Sequence, residues 1–180
     1  TFRWSDHGFR PTPLDHAVIY ELHVGTFSPT GDFAGASERL DHLVALGVTH
    51  VELLPVAAFP GARGWGYDGV GLFAVHSSYG GPEGLARFVD ACHGRGLAVI
   101  LDVVYNHLGP EGNYLARFAP YFSWRHRTPW GEGLNLDEQH AGEVRRFVCD
   151  NAARWIRDFH IDGLRLDATH ALIGTSAVHI

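Results

Sequence analysis

Apolar residues along this chain follow two rhythms. Some form short, nearly continuous runs rich in β-branched and aromatic side chains, which read as strands. Others recur every three or four positions, which reads as amphipathic helix. Val18 to Gly25 predicts a strand. Phe33, Ala36, Leu40, Leu43 and Val44 then keep helical spacing, with Asp32 placed as the N-cap and Gly47 where a helix stops. Val48 to Leu54 predicts a second strand, closed by Pro55, and a long loop rich in glycine and aromatic residues follows. Pro82 opens a helix with Leu85, Phe88, Val89 and Cys92 on one face, ended by Gly94 and Gly96. Leu97 to Tyr105 is almost wholly apolar, as a strand buried on both faces must be. After a second long loop, from Asn106 to about Asp137, a helix carries Val144, Phe147, Val148, Ala152, Trp155 and Phe159 on one side. Asp162 to Asp167 predicts a fourth strand.

Strands alternating with helices argue for a parallel sheet with right-handed crossovers. An open doubly wound sheet and a (β/α)8 TIM barrel both fit that order. The barrel is favoured because His23, Tyr67, Asp68, Asn106, His107, Arg165 and Asp167 all fall at or just beyond carboxyl ends of strands, the rim on which barrel active sites are built. No glycine-rich phosphate fingerprint follows the first strand, as a dinucleotide fold requires. A complete barrel takes about 250 residues. The fold expected is therefore α/β of TIM-barrel type, with only about the first four β/α units present, over residues 18–180. Residues 1–17, with Phe2, Trp4, Pro11 and Pro13, read as a linker from an upstream domain. The sequence lacks methionine, and the chain is expected to be a piece of a longer polypeptide.

The fourth strand ends in chemistry. With a period of two, Leu164 and Leu166 share one face and Arg165 and Asp167 the other. An apolar face can pack on helices, whereas a guanidinium beside a carboxylate needs a polar, partly buried site and favours the ionised acid. In isolation such a pair reads as a structural ion pair at a strand end.

Composition narrows the partners. With 46% hydrophobic and 19% charged residues, the chain reads as an ordinary globular protein. The net charge of −6, with arginines scattered along the chain, argues against nucleic acid. No apolar run approaches the roughly 18 residues of a membrane span, and no signal-peptide pattern opens the chain. Cys92 and Cys149 both fall on apolar helix faces, so a disulfide scaffold is not expected and a reducing, cytoplasmic setting is. The 13 histidines include no His-x-x-x-His pair beside an acid on a helix, so zinc is not expected. Trp65, Trp124 and Trp130 sit in the long loops, as sugar platforms or as plugs of loop cores. His23 reads as a packed, hydrogen-bonded residue.

Two motifs together identify a family resemblance. Asp102-Val-Val-Tyr-Asn-His107 and Gly163-Leu-Arg-Leu-Asp167-Ala-Thr-His170 resemble conserved regions of the α-amylase family of glycoside hydrolases (family 13), in the right order on the third and fourth strands, and Gly66-Tyr67-Asp68-Gly69 resembles its loop after the second strand. Within the family, Ile19–Gly25, Trp65–Gly69 and Val103–Tyr114 are most similar to maltooligosyltrehalose trehalohydrolases.

The resemblance implies a retaining hydrolase acting on α-1,4-glucan or maltooligosyltrehalose, releasing trehalose. It implies Asp167 as nucleophile and Arg165 as the group that orients it. Tyr67, Asp68 and His107 would bind the sugar at the cleavage subsite, and His170 the adjoining one. Many family members carry a lysine before that histidine, and Thr169 stands there instead. Asp102 and Asn106 read as structural neighbours of the site. The matching asparagine binds calcium in some amylases, but the six to eight oxygens calcium takes do not assemble from this sequence, so neither metal nor organic cofactor is expected. The family's general acid and transition-state stabiliser follow later strands, so the missing second half of the barrel is the expected partner and the segment alone is expected to be inactive. Two alternatives stand beside this reading: a branching or debranching enzyme of the same family, and a non-catalytic barrel serving as a binding module.

Overall fold

The computed structural model describes residues 2–175 and 179–180. In chain order its elements are β1 (Ile19–Leu22), α1 (Val24–Phe27), α2 (Phe33–Ser37), α3 (Leu40–Ala45), β2 (His50–Leu53), β3 (Ala57–Ala58), β4 (Gly71–Val75), α4 (Gly81–His93), β5 (Ala98–Val103), β6 (Phe122–Thr128), β7 (Gly131–Leu134), α5 (Ala141–Phe159) and β8 (Gly163–Leu166). The four predicted strands are β1, β2, β5 and β8, all parallel and paired in sequence order. A doubly wound sheet reverses its strand order at a switch point. This sheet does not, and its order is that of a partial TIM barrel.

The register aligns Leu22, Leu53, Leu101 and Leu164 in one row, and Glu52 beside Ile100 in the next. Neighbours in a row share a face. The leucine face packs on the helices: Leu53, Leu101, Leu85, Phe88 and Val89 are all 0–1% exposed. Burial of each such side chain stabilises the fold by about 1.5–3 kcal/mol. The opposite face, carrying Glu21, Glu52, Asp102 and Arg165, is the polar interior.

Several elements differ from the sequence-based expectation. The first strand is shorter, because His23 turns the chain into α1. The helix expected from Asp32 to Gly47 is split into α2 and α3 at Arg39, whose φ and ψ of −99° and −3° break the helical path. Both predicted ends hold: Asp32 accepts a hydrogen bond from Gly35 N at 2.8 Å, and Gly47 has a φ of +80°, which glycine adopts freely. Each long loop contains an antiparallel hairpin, β3–β4 in the first and β6–β7 in the second. Cys92 is buried as expected, but Cys149 is exposed, because its face of α5 looks over an apolar hollow beside Leu164 and Leu166.

Residues 2–10 lie extended against the amino-terminal pole of the sheet. Phe2, Trp4 and Asp6 turn inward and Arg3, Ser5 and His7 outward. Gly8, with φ +90°, then turns the chain so that Phe9 also faces in.

Candidate active site

At the carboxyl pole, one guanidinium nitrogen joins two carboxylates. Arg165 Nη1 lies 2.6 Å from Asp167 Oδ1, and 2.9 and 3.1 Å from the two oxygens of Asp102. The register explains the meeting: Asp102 pairs with Arg165 across β5 and β8, and Asp167 follows two residues later on the same face. Asp102 has no exposed side-chain surface and also accepts the Tyr67 hydroxyl at 2.8 Å. Burial raises its pKa above the ordinary carboxylate value, against the hydrogen bonds from Tyr67 and Arg165. Burial also raises Tyr67, and the bond to Asp102 adds to it, so its hydroxyl stays protonated as a donor. For Arg165 burial opposes the charge, but the bonds to Asp167 and Asp102 outweigh it and keep the guanidinium charged.

Asp167 differs from Asp102 in being partly open, with 17% of its side chain exposed. Its backbone N–H is fastened to Val103 O at 3.1 Å. Asn106 Nδ2 donates to its carbonyl oxygen at 3.0 Å and to its Oδ2 at 3.2 Å. With that amide nitrogen directed at acceptors, Asn106 Oδ1 must accept from His107 Nδ1, 2.5 Å away, which fixes the proton on that ring nitrogen. His107 is buried, and burial holds its pKa below the ordinary histidine value against the pull of the Asp167 charge. Asp102, Tyr67, Arg165, Asp167, Asn106 and His107 thus form one connected network.

Asp68 is exposed at the edge of this network. A Cβ on Gly109 would stand 2.1 Å from the Asp68 carbonyl oxygen, so only glycine lets the loop after β5 lie against the loop carrying Tyr67 and Asp68. A surface hollow opens there, lined by Phe59, Arg63, Asp68 and Glu111 among others. On the other side Ala168 has a φ of +42°, a left-handed conformation that costs a non-glycine residue about 1 kcal/mol or more. This turn sends Thr169–Ala171 away from the strand and leaves His170 exposed.

Sequence reasoning left the tryptophans undecided. Trp65, Trp124 and Trp130 are 66%, 81% and 50% exposed, so none plugs a loop core. Trp130, between β6 and β7, stacks on His107 with centroids 5.4 Å apart and meets His170 edge-on at 6.4 Å. It joins two residues from separate motifs, and only the hairpin reveals it. His23 is packed as read, with Nε2 2.8 Å from Gly64 O and 2.9 Å from the Tyr79 hydroxyl.

The donors around Asn106 do not fit calcium, since its amide oxygen faces the His107 ring and its amide nitrogen faces Asp167. Among the described residues, His126, Asp137 and Glu138 bring ligand atoms within 4.8 Å of one another. Their carboxylates are already filled by donors: Asp137 by Arg125, His126 and Thr175, and Glu138 by Ser123, Arg125 and the Trp124 N–H. This cluster fastens the β6–β7 hairpin rather than offering an open metal site. No helix among the described residues is long and apolar enough to cross a membrane.

Residues 9–130 match the alpha amylase catalytic domain family. The chain belongs to the α-amylase family. It is 60% identical over 179 residues to the malto-oligosyltrehalose trehalohydrolase of Arthrobacter ramosus, covering 99% of this chain and 31% of that protein. A crystal structure of a Salmonella typhimurium protein provisionally called an alpha amylase superposes with a TM-score of 0.95 at 46% identity, over 99% of this chain and 30% of that one. The pullulanase of Paenibacillus barengoltzii, in complex with maltohexaose and α-cyclodextrin, superposes with a TM-score of 0.76 at 29% identity, over 89% of this chain and 32% of that one. The chain spans less than a third of the length of the curated relatives it matches. Its parallel sheet is that of part of the family's catalytic domain.

Proposed function

We propose that this chain carries the nucleophile of a retaining α-glucan hydrolase that cleaves the α-1,4 bond releasing trehalose from maltooligosyltrehalose. The single observation that carries the proposal is the Arg165 bridge. One carboxylate of the pair, Asp102, is sealed in, and the other, Asp167, keeps an open side on the polar face of the sheet. A carboxylate that is oriented, paired and accessible is suited to attack an anomeric carbon, while a sealed one can only position its neighbours. The subfamily assignment draws on the 60% identity to the Arthrobacter enzyme.

In the reaction, Asp167 attacks the anomeric carbon and forms a glycosyl-enzyme ester as the glycosidic bond breaks, and water then releases the sugar. Retaining enzymes hold a second carboxyl group about 5–5.5 Å away, which protonates the leaving oxygen and later activates the water. We assign that group, and the transition-state stabiliser, to later strands of the barrel. Arg165 and Asn106 hold the two oxygens of Asp167. Tyr67, fixed through its hydroxyl by Asp102, offers a ring to the sugar's C–H face. Asp68 and His107 bind its hydroxyls, and His170 with Trp130 borders the leaving-group side. The product is proposed to form in the cytoplasm.

The test is product analysis with the whole protein and maltooligosyltrehalose. Free trehalose, lost by about 10⁴-fold or more in Asp167→Asn, is the expected result. A change in glucan branching without trehalose would assign the protein to the branching enzymes instead. Sugar binding without turnover in the whole wild-type protein would favour a non-catalytic module.

A further inference from the structure

The opposite pole of the sheet carries a second cluster of ionisable groups that the sugar chemistry does not use. His93 ends α4 with 2% of its side chain exposed. Its Nδ1 lies 2.9 Å from Asp6 Oδ2 and its Nε2 2.9 Å from Asp162 Oδ2. An imidazole donates from both nitrogens only when protonated. Asp162 is anchored in the fold, because the same oxygen accepts the Val99 N–H at 2.7 Å. Asp6 belongs to the extended N-terminal segment, where it also meets His160 Nδ1 at 2.7 Å.

The rest of that segment reaches the same place. Phe9 stacks on His93 with centroids 4.1 Å apart, and Trp4 stacks on His160 at 3.8 Å. Ser5 donates from its backbone N–H and its hydroxyl to the two oxygens of Asp90 on α4, at 2.7 and 2.8 Å. The ring of His93 is therefore the shared cation between a fixed carboxylate and one carried by the segment.

We infer that residues 4–9 form a strap latched to the amino-terminal pole by the protonated His93, held while that ring is charged and loosened when it is neutral. A neutral ring can donate to only one of the two carboxylates. The other then faces a lone pair, with a second anion close behind it. Asp162 is tied to β5, so the strap is the side that yields.

The titration runs in the direction the latch needs. Burial disfavours the His93 cation, but the hydrogen bonds to Asp162 and Asp6 outweigh it and raise its pKa. Burial likewise raises Asp6, and the bonds from His160 and His93 outweigh it and lower its pKa. The groups facing the latch are Asp6 and the Phe9 ring from the strap, Asp162 from the turn before β8, and His160 from the end of α5, with Asp90 of α4 holding Ser5. A raised histidine contributes stability that is complete below about pH 6.5 and is lost as pH rises through its folded value. A lowered aspartate contributes stability that is complete above about pH 4 and is lost as pH falls through its folded value. The strap is held most firmly between the two.

The experiment is hydrogen exchange of residues 4–9 in the whole protein, corrected for intrinsic rates, between about pH 6 and about pH 9. Wild-type protection should fall about tenfold or more across that range. It should stay low and flat in His93→Gln, and keep its pH dependence in His160→Gln. Protection that is constant in wild type, or a dependence that survives His93→Gln, would overturn the latch. Should His93→Gln not fold, the His93 ring is titrated by NMR in the wild-type protein. A midpoint above about 6.5 supports the latch and one at or below it overturns the latch.

Discussion

Arg165 Nη1 stands 2.6 Å from Asp167 and 2.9 Å from Asp102, so one guanidinium nitrogen serves a carboxylate with no exposed surface and another that is open to solvent. Removing it harms the two differently. Arg165→Ala leaves Asp102 buried with only Tyr67 as partner, a defect worth about 3 kcal/mol. We expect that loss in urea unfolding of the whole protein. An unchanged midpoint in Arg165→Ala would contradict the buried pairing.

Tyr67→Phe removes one hydrogen bond to a buried charge and little volume. The expected cost is about 1.5–3 kcal/mol in stability. A smaller loss in the double variant with Asp102→Asn than the two single losses summed would measure the coupling directly.

The isolated 180-residue segment leaves both outer strands of its sheet unpaired, with Val18 51%, Ile19 47% and Leu166 45% exposed. Unpaired edges with apolar side chains invite pairing with other chains. Size-exclusion chromatography should find aggregates or dimers, and a cooperatively unfolding monomer would refute this. The same preparation should not hydrolyse maltooligosyltrehalose. Turnover that survives purification and disappears in Asp167→Asn would show that the segment needs no further acid.

Acid should release the β6–β7 hairpin. Burial alone would raise Asp137, but hydrogen bonds from Thr175 and His126 and the charge of Arg125 push its pKa down to about 2. Its contribution is therefore complete above about pH 4 and is lost as pH falls toward 2. Fluorescence from Trp124 and Trp130, compared with an Asp137→Asn variant in which the change should vanish, follows the release.

The first three parallel strands were legible as short runs rich in apolar residues, and the fourth by the alternation of Leu164 and Leu166 with Arg165 and Asp167. The two hairpins were not. Phe122–Thr128 has three polar or charged residues in a row at Arg125–Arg127, and its place depends on Glu138 accepting from Ser123 and Arg125, contacts with no local signature. The split at Arg39 has no breaker residue either. Separate burial of Phe33 and Leu40 on either side of it overrides propensity. At the site, the Arg165–Asp167 face followed from strand alternation alone. The link to Asp102 required the register of β5 against β8, and Trp130 required a turn that the sequence does not announce.

β8 lies at the border of the sheet, next to where the proposed nucleophile Asp167 would meet the proton donor assigned to a later strand. Any strand that zips onto that border lies about 4.8 Å away, close to the roughly 5–5.5 Å that separates the two acids of a retaining pair. On the proposed reading, a strand that pairs there would bring the second acid near Asp167, so extending the barrel wall and supplying the missing proton donor would be one event.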